Sequence, residues 1–147
     1  VAYLAVAMDL HTRKALGVAL GPRLSQGLAL AALEMALREG CPEVHHSDRG
    51  VQYTSRAYVE RLLGLGVRLS YAGTGRPWEN GHAERLIRTI KEEWVALREY
   101  RTLAEARASV KAFVLEVYDR KRPHSALGYL TPEAFSESLW KGGGSPD

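Results

Sequence analysis

The chain opens on an almost unbroken apolar run, Val1–Leu10, which ends in Asp9 and carries no helical period. A polar turn, His11-Thr12-Arg13-Lys14, leads into a second apolar run, Ala15–Leu20. Two such runs around a short polar turn predict an antiparallel hairpin. Gly21-Pro22 ends it, and Ser25 caps a helix predicted over Gln26–Glu39, with Leu30, Leu33 and Leu37 at helical spacing and Gly40 at its end. Glu43–His46 is a short strand candidate running into Ser47-Asp48-Arg49-Gly50. Ser55 caps a second helix, Arg56–Leu63, closed by Gly64 and Gly66, and Val67–Tyr71 is a further strand. Ala72–Glu79, with Gly73, Gly75 and Pro77, reads as a loop before a helix over Asn80–Trp94. Thr102-Leu103-Ala104-Glu105 is a capping box opening a helix to about Asp119. Thr131-Pro132 caps a last short helix, and Lys141–Asp147 is a flexible tail. The order ββαβαβ followed by helices predicts an α/β fold, a mixed sheet covered by helices, within one core domain over residues 1–140.

Composition narrows the class. With 147 residues, 46% of them apolar and 25% charged, the chain can build one ordinary globular core. No apolar run is long enough for a membrane span, and the N-terminal run lacks the basic flank of a signal peptide. Cys41 is the single cysteine, which excludes a disulfide framework and a cysteine-based zinc site and fits a reducing cytoplasm. The net charge of +3 is unevenly spread: Arg85 to Arg122 holds ten Lys/Arg against six Asp/Glu, residues 1–84 nine against eight. The basic half is compatible with nucleic acid, although a solvated helical surface explains the charge alone as well.

Two carboxylates sit where chemistry would use them. Asp48 follows a short strand and precedes a glycine, the strand-end position at which open α/β sheets build their sites. Glu84 falls early in the Asn80–Trp94 helix. Ala83, Leu86, Ile87 and Ile90 mark the buried side, and Asn80, Glu84, Arg88 and Lys91 share another face. An amide, a carboxylate and two cations on one face suit metal-dependent phosphoryl transfer. Mg²⁺ takes oxygen ligands, two ions can bracket the attacking and leaving oxygens, and neighbouring cations hold a nucleic-acid backbone. Taken singly, Asp48 is an ordinary turn residue and Glu84 a surface ion-pair partner of Arg88.

Taken together, the motifs carry a resemblance. His45-His46-Ser47-Asp48-Arg49-Gly50-Val51-Gln52-Tyr53-Thr54-Ser55 resembles the second-aspartate motif of insertion-sequence transposases in the retroviral integrase (DDE) superfamily. Asn80-Gly81-His82-Ala83-Glu84-Arg85, followed by Ile90-Lys91-Glu92-Glu93, resembles their glutamate motif, and 35 residues separate Asp48 from Glu84, the spacing that marks the family. Tyr118-Asp119-Arg120-Lys121-Arg122-Pro123-His124-Ser125-Ala126-Leu127-Gly128-Tyr129-Leu130-Thr131-Pro132 resembles their closing motif, with Asp119 where asparagine is usual. The likeness runs from Tyr3 to about Trp140.

The resemblance implies a ribonuclease H-like fold and Mg²⁺- or Mn²⁺-dependent cleavage and strand transfer of DNA. Asp48 and Glu84 would be the catalytic metal ligands, and Asn80, Arg85, Arg88 and Lys91 would lie along the DNA. It implies transposon ends and target DNA as partners, a second copy of the chain, and an upstream helper protein. It also implies a gap. The family's first aspartate lies on a strand one hairpin upstream of the segment matching Tyr3–Gly17, in the middle of the sheet. The chain is therefore expected to lack that strand and ligand and to leave two backbone edges facing each other. Asp9 matches a strand-end residue of the pattern rather than the metal ligand. Two other functions use the same residues: a nuclease that cuts without joining, and a catalytically inactive DNA-binding or subunit-interaction remnant. A zinc site at His45 and His46 lacks further ligands at sensible spacing, since His11, His82 and His124 are scattered. Trp78 is a candidate substrate contact or loop anchor, and Trp94 and Trp140 core or interface anchors.

Overall fold

A computed structural model of the chain describes residues 2–10, 14–47, 50–71, 81–114 and 129–135, the last by their backbone. The hairpin forms as predicted: β1 (Tyr3–Asp9) pairs antiparallel with β2 (Ala15–Gly21) from Tyr3–Gly21 to Met8–Ala15. Then come α1 (Gln26–Leu37), β3 (Val44–Ser47), a short α2 (Val51–Thr54) that no sequence signal announces, α3 (Arg56–Gly64) and β4 (Arg68–Tyr71). The helix α4 (Gly81–Thr89) continues through a π-helical turn at Ile90–Trp94 and a 3₁₀ turn at Val95–Leu97. After it come α5 (Leu103–Ala112) and β5 (Tyr129–Phe135). Ser25, Ser55 and Thr102 each accept a backbone N–H from the third residue of the helix they precede, so the predicted caps hold α1, α3 and α5. Glu105 reaches back to the backbone N–H of Arg101, one residue before the cap.

The five strands form one sheet in the order β2-β1-β5-β3-β4. β3 runs parallel to β4 and to β5, and β5 runs antiparallel to β1. Two expectations fail here. The segment opened by Thr131-Pro132 is a strand and not a helix. The position between β1 and β3, expected to stand open, is filled by that strand. Both departures have one cause. An empty position would orphan the facing N–H and C=O groups of β1 and β3, and that demand outweighs a local helix-start signal.

Helices cover both faces of the sheet. Leu4, Val6 and Met8 of β1 join Leu86 and Ile87 of α4, Ile90 of the π-turn and Leu103, Ala106 and Val110 of α5 in one core. Ala5 and Ala7 face the other way, toward Ala29, Ala32, Leu33 and Ala36 of α1 and toward Tyr53, Tyr58 and Leu62. Burial on both faces explains why Val1–Leu10 reads as a continuous apolar run rather than an alternating one. In α1 the leucine period was only part of the pattern: Leu30 and Leu37 are half-buried, and the alanines make the closest contact. A Cβ built on Gly17 of β2 would lie 1.9 Å from the carbonyl oxygen of Ala32, so glycine and alanine together let helix and strand backbones meet.

At the end of the π-turn, Trp94 stacks on Phe113 at 4.8 Å and its indole N–H donates to Ser109 at 2.9 Å. Trp94 is thus a core anchor joining the end of α4 to α5. Trp78, Trp140, Asp119 and the 141–147 tail lie outside the described residues.

Candidate active site

The four residues of β3 are all buried, and its two histidine side chains are fastened to neighbouring elements. The His45 ring shares a 2.7 Å hydrogen bond with the hydroxyl of Tyr58 on α3 and meets that ring edge-on. His46 Nδ1 shares a 2.9 Å hydrogen bond with Ser70 Oγ on β4. These contacts fix the point, Ser47, from which the chain leads into Asp48. Tyr58 and Ser70 were not legible as supports of this strand end: a partner 13 or 24 residues away leaves no local pattern. Asp48 itself lies outside the described residues, as does Asn80.

Burial holds His45 neutral, pushing its pKa down to about 3. The unfolded chain gains a proton below about pH 6.5 that the folded chain does not take up until near pH 3. Stability should therefore fall as pH drops through this window, with a slope approaching about 1.4 kcal/mol per pH unit from this group. Urea titrations across the window should show that slope, and His45→Phe should flatten it. An equal slope in the variant would remove His45 as its source.

The helix α4 explains the placement of the second carboxylate. Ala83, Leu86, Ile87 and Ile90 are fully buried at spacings of three, one and three, one stripe of a helix packed against the sheet. That phase leaves Glu84, Arg85 and Arg88 exposed and Lys91 half-buried. Glu84 stands in the first turn of the helix, where the N-terminal end of the dipole favours an anion, and Arg88 in the last.

Asp9 ends β1, fully buried, and its backbone N–H donates to the Lys14 carbonyl at 2.9 Å to close the hairpin. It pairs with Leu130 of β5, which pairs in turn with His45. Asp9 is therefore two strands across the sheet from His45 and two residues short of Ser47. That is a backbone distance of roughly 12 Å from the point where β3 ends. The backbone of Asp9 thus closes the hairpin turn.

A hard cation needs several oxygen donors around it. Glu84 is a carboxylate of the right chemistry, reachable from solvent. Among the described residues, no three His, Cys, Asp or Glu side chains converge to hold a metal, so a complete site would need residues outside them, Asp48 first. Among the described residues, too, no helix is long and apolar enough to cross a membrane.

The chain matches two family models, both described as integrase core domain, over residues 1–77 and 65–132. It is 31% identical over 138 residues to the transposase of insertion sequence element IS904 of Lactococcus lactis, covering 92% of this chain and 54% of that protein. Transposase InsF for insertion sequence IS3A of Escherichia coli is 35% identical over 136 residues, covering 90% of this chain and 47% of the relative. The chain thus spans about half the length of these transposases. Among solved structures, the catalytic core domain of BIV integrase matches with a TM-score of 0.57 at 20% identity, over 78% of this chain and 75% of that one. The mixed sheet with helices on both faces is accordingly the ribonuclease H-like fold of an integrase catalytic core, and the chain belongs to the integrase core domain family, alongside the transposases of bacterial insertion sequences.

Proposed function

We propose that this chain is a catalytic segment of a DDE transposase, acting in divalent-metal-dependent cleavage and strand transfer of DNA. The observation that carries the reading is α4: it buries one apolar stripe and turns Glu84, Arg85 and Arg88 to solvent, in a chain of the integrase core family. Asp48 and Glu84 would hold the metal, and Asn80, Arg85, Arg88 and Lys91 would lie along the DNA backbone. Bound Mg²⁺ or Mn²⁺ would supply charge neutralisation at the attacking and leaving oxygens of the phosphodiester. The protein's own contribution is positional. β3, held by His45 and His46, ends at Ser47, the residue before Asp48 in the chain, while α4 offers Glu84 from a packed helix. The substrates would be transposon ends and target DNA, engaged by more than one copy of the chain, with end recognition and any helper protein contributed from outside residues 1–140.

The test is cleavage and joining of a labelled transposon-end duplex with Mg²⁺ or Mn²⁺, against an EDTA control, by this chain and by a version with its upstream region restored. Metal-dependent cutting with joined products supports the reading, and cutting without joining makes the protein a nuclease. Activity only in the restored version would make this chain an incomplete catalytic segment, and folded proteins that bind DNA but do neither in both forms would point to an inactive binding or subunit-interaction remnant. A second expectation concerns Arg88. If it lies on a phosphate, Arg88→Ala should weaken binding to any duplex and reduce the slope of log affinity against log salt by about 1. A slope equal to wild type would take Arg88 off the DNA.

A further inference from the structure

The outer strand of the sheet, β2, lines a groove three strands away from β3, roughly 14 Å across the sheet from the candidate active site. One wall is α1, through Leu28, Ala31, Met35 and Arg38, which recur at spacings of three, four and three and so form one stripe. Ala29, Ala32, Leu33 and Ala36 of the same helix pack into the core, so the stripe is a second face of α1. The opposite wall is α5, through Arg107 and Lys111, four residues apart on one face. The groove holds about 630 Å³ and follows α1 from Ser25 to Arg38, roughly 20 Å of helix.

Its floor is apolar and its rim is basic. Val18, Leu20 and Leu28 are buried, Met35 is half-buried and Ala31 is exposed. Arg23 stands at one end, Arg38 at the other, and Lys111 along the side, all exposed. Arg107 is pinned: its Nε–H donates to the Leu20 carbonyl at 3.0 Å, which covers part of the strand edge and fixes the guanidinium at the wall. Among the described residues lining the groove, Glu34 is the one acid, and Arg61 of α3 already holds it by two hydrogen bonds of 2.6 and 2.9 Å. A chain of net charge +3 thus gathers four cations around one apolar concavity.

We infer that this groove is the docking site for an acidic segment of a partner protein, a short stretch with an apolar centre and aspartate or glutamate on both flanks. The length suits a peptide segment, the floor buries its apolar side chains, and cations at both ends meet its flanking acids. A nucleic-acid duplex would meet the rim alone and leave the floor uncovered. A second copy docking through this same face would set four cations against four.

The experiment uses the whole chain. The probe is a fluorescein-labelled synthetic peptide with two aspartates on each side of a leucine-valine-leucine centre, read by fluorescence anisotropy. Saturable binding is expected. Replacing its aspartates by asparagine, or its centre by serine, should each weaken binding by roughly tenfold or more. In the chain, Arg38→Gln combined with Lys111→Gln should weaken binding by roughly tenfold, and Ala31→Glu should abolish it. All three positions are exposed, so the urea midpoints should stay at the wild-type value. No binding of the probe overturns the inference, and so does unchanged affinity in Ala31→Glu. Displacement of the peptide by a DNA duplex that the same variants fail to bind would make the groove a nucleic-acid contact. Self-association in sedimentation that the same variants abolish would give it to a second copy, and either result also overturns the inference.

Discussion

In a full-length parent enzyme, Asp48→Asn and Glu84→Gln should each reduce metal-dependent cleavage and joining by about a thousandfold or more while leaving the fold intact. Both changes keep size and shape and remove one negative charge. A metal site that stabilises the developing charge by several kcal/mol loses most of that when a ligand becomes an amide, and each 1.36 kcal/mol is a factor of ten in rate. The fold should not respond to Glu84→Gln, because Glu84 is exposed and the packing of α4 rests on Ala83, Leu86, Ile87 and Ile90. The measurement is therefore double: product formation on a labelled duplex, and the denaturant midpoint of the same preparation. Wild-type turnover in either variant would remove that residue from the site. Lost activity with a shifted midpoint would mean the residue supports structure, and the reading of the site would fail for that position.

The largest effect on stability should come from one of the smallest substitutions. Gly17→Ala places a methyl group 1.9 Å from the Ala32 carbonyl oxygen, 2.9 Å from its carbon and 3.2 Å from the Ala36 backbone nitrogen. These atoms belong to the backbone of α1, so no side chain can rotate away; the helix must move. Its displacement would open the contacts of Ala29, Leu33 and Ala36 with the core beneath. Overpacking a dense core costs about 1–3 kcal/mol when side chains can adjust, and a backbone obstacle places Gly17→Ala at or above the upper end. The control is Gly64→Ala, at the end of α3, where nothing lies within 4 Å of the new methyl group. It should lie within about 1 kcal/mol of wild type, on the stabilising side. Urea midpoints compare the two directly, and a Gly17→Ala midpoint equal to the control would disprove the close approach.

Much of the architecture was legible because its signals are local. Serine and threonine caps, the polar turn between two apolar runs and the apolar stripe of α4 each depend on residues within a few positions of one another. The same stripe foretold the exposure of Glu84, since a helix that buries Ala83, Leu86, Ile87 and Ile90 must turn position 84 outward. The π-turn at Ile90–Trp94, whose last residue stacks on Phe113, was not foreseen. Nor were the fastenings of His45 to Tyr58 and His46 to Ser70, which join elements far apart in sequence.

The segment 129–135 marks the boundary most clearly. By itself the sequence determined the chain's α/β class, its hairpin, its caps, its exposed and buried helix faces, and the motifs that place it among integrase cores, because each is written in short-range spacing. Only the tertiary structure decided that Thr131-Pro132 begins no helix, and that β5 lies between β1 and β3. The physical reason is that two facing rows of backbone donors and acceptors demand a strand between them, and no local propensity encodes a demand made by residues more than eighty positions away.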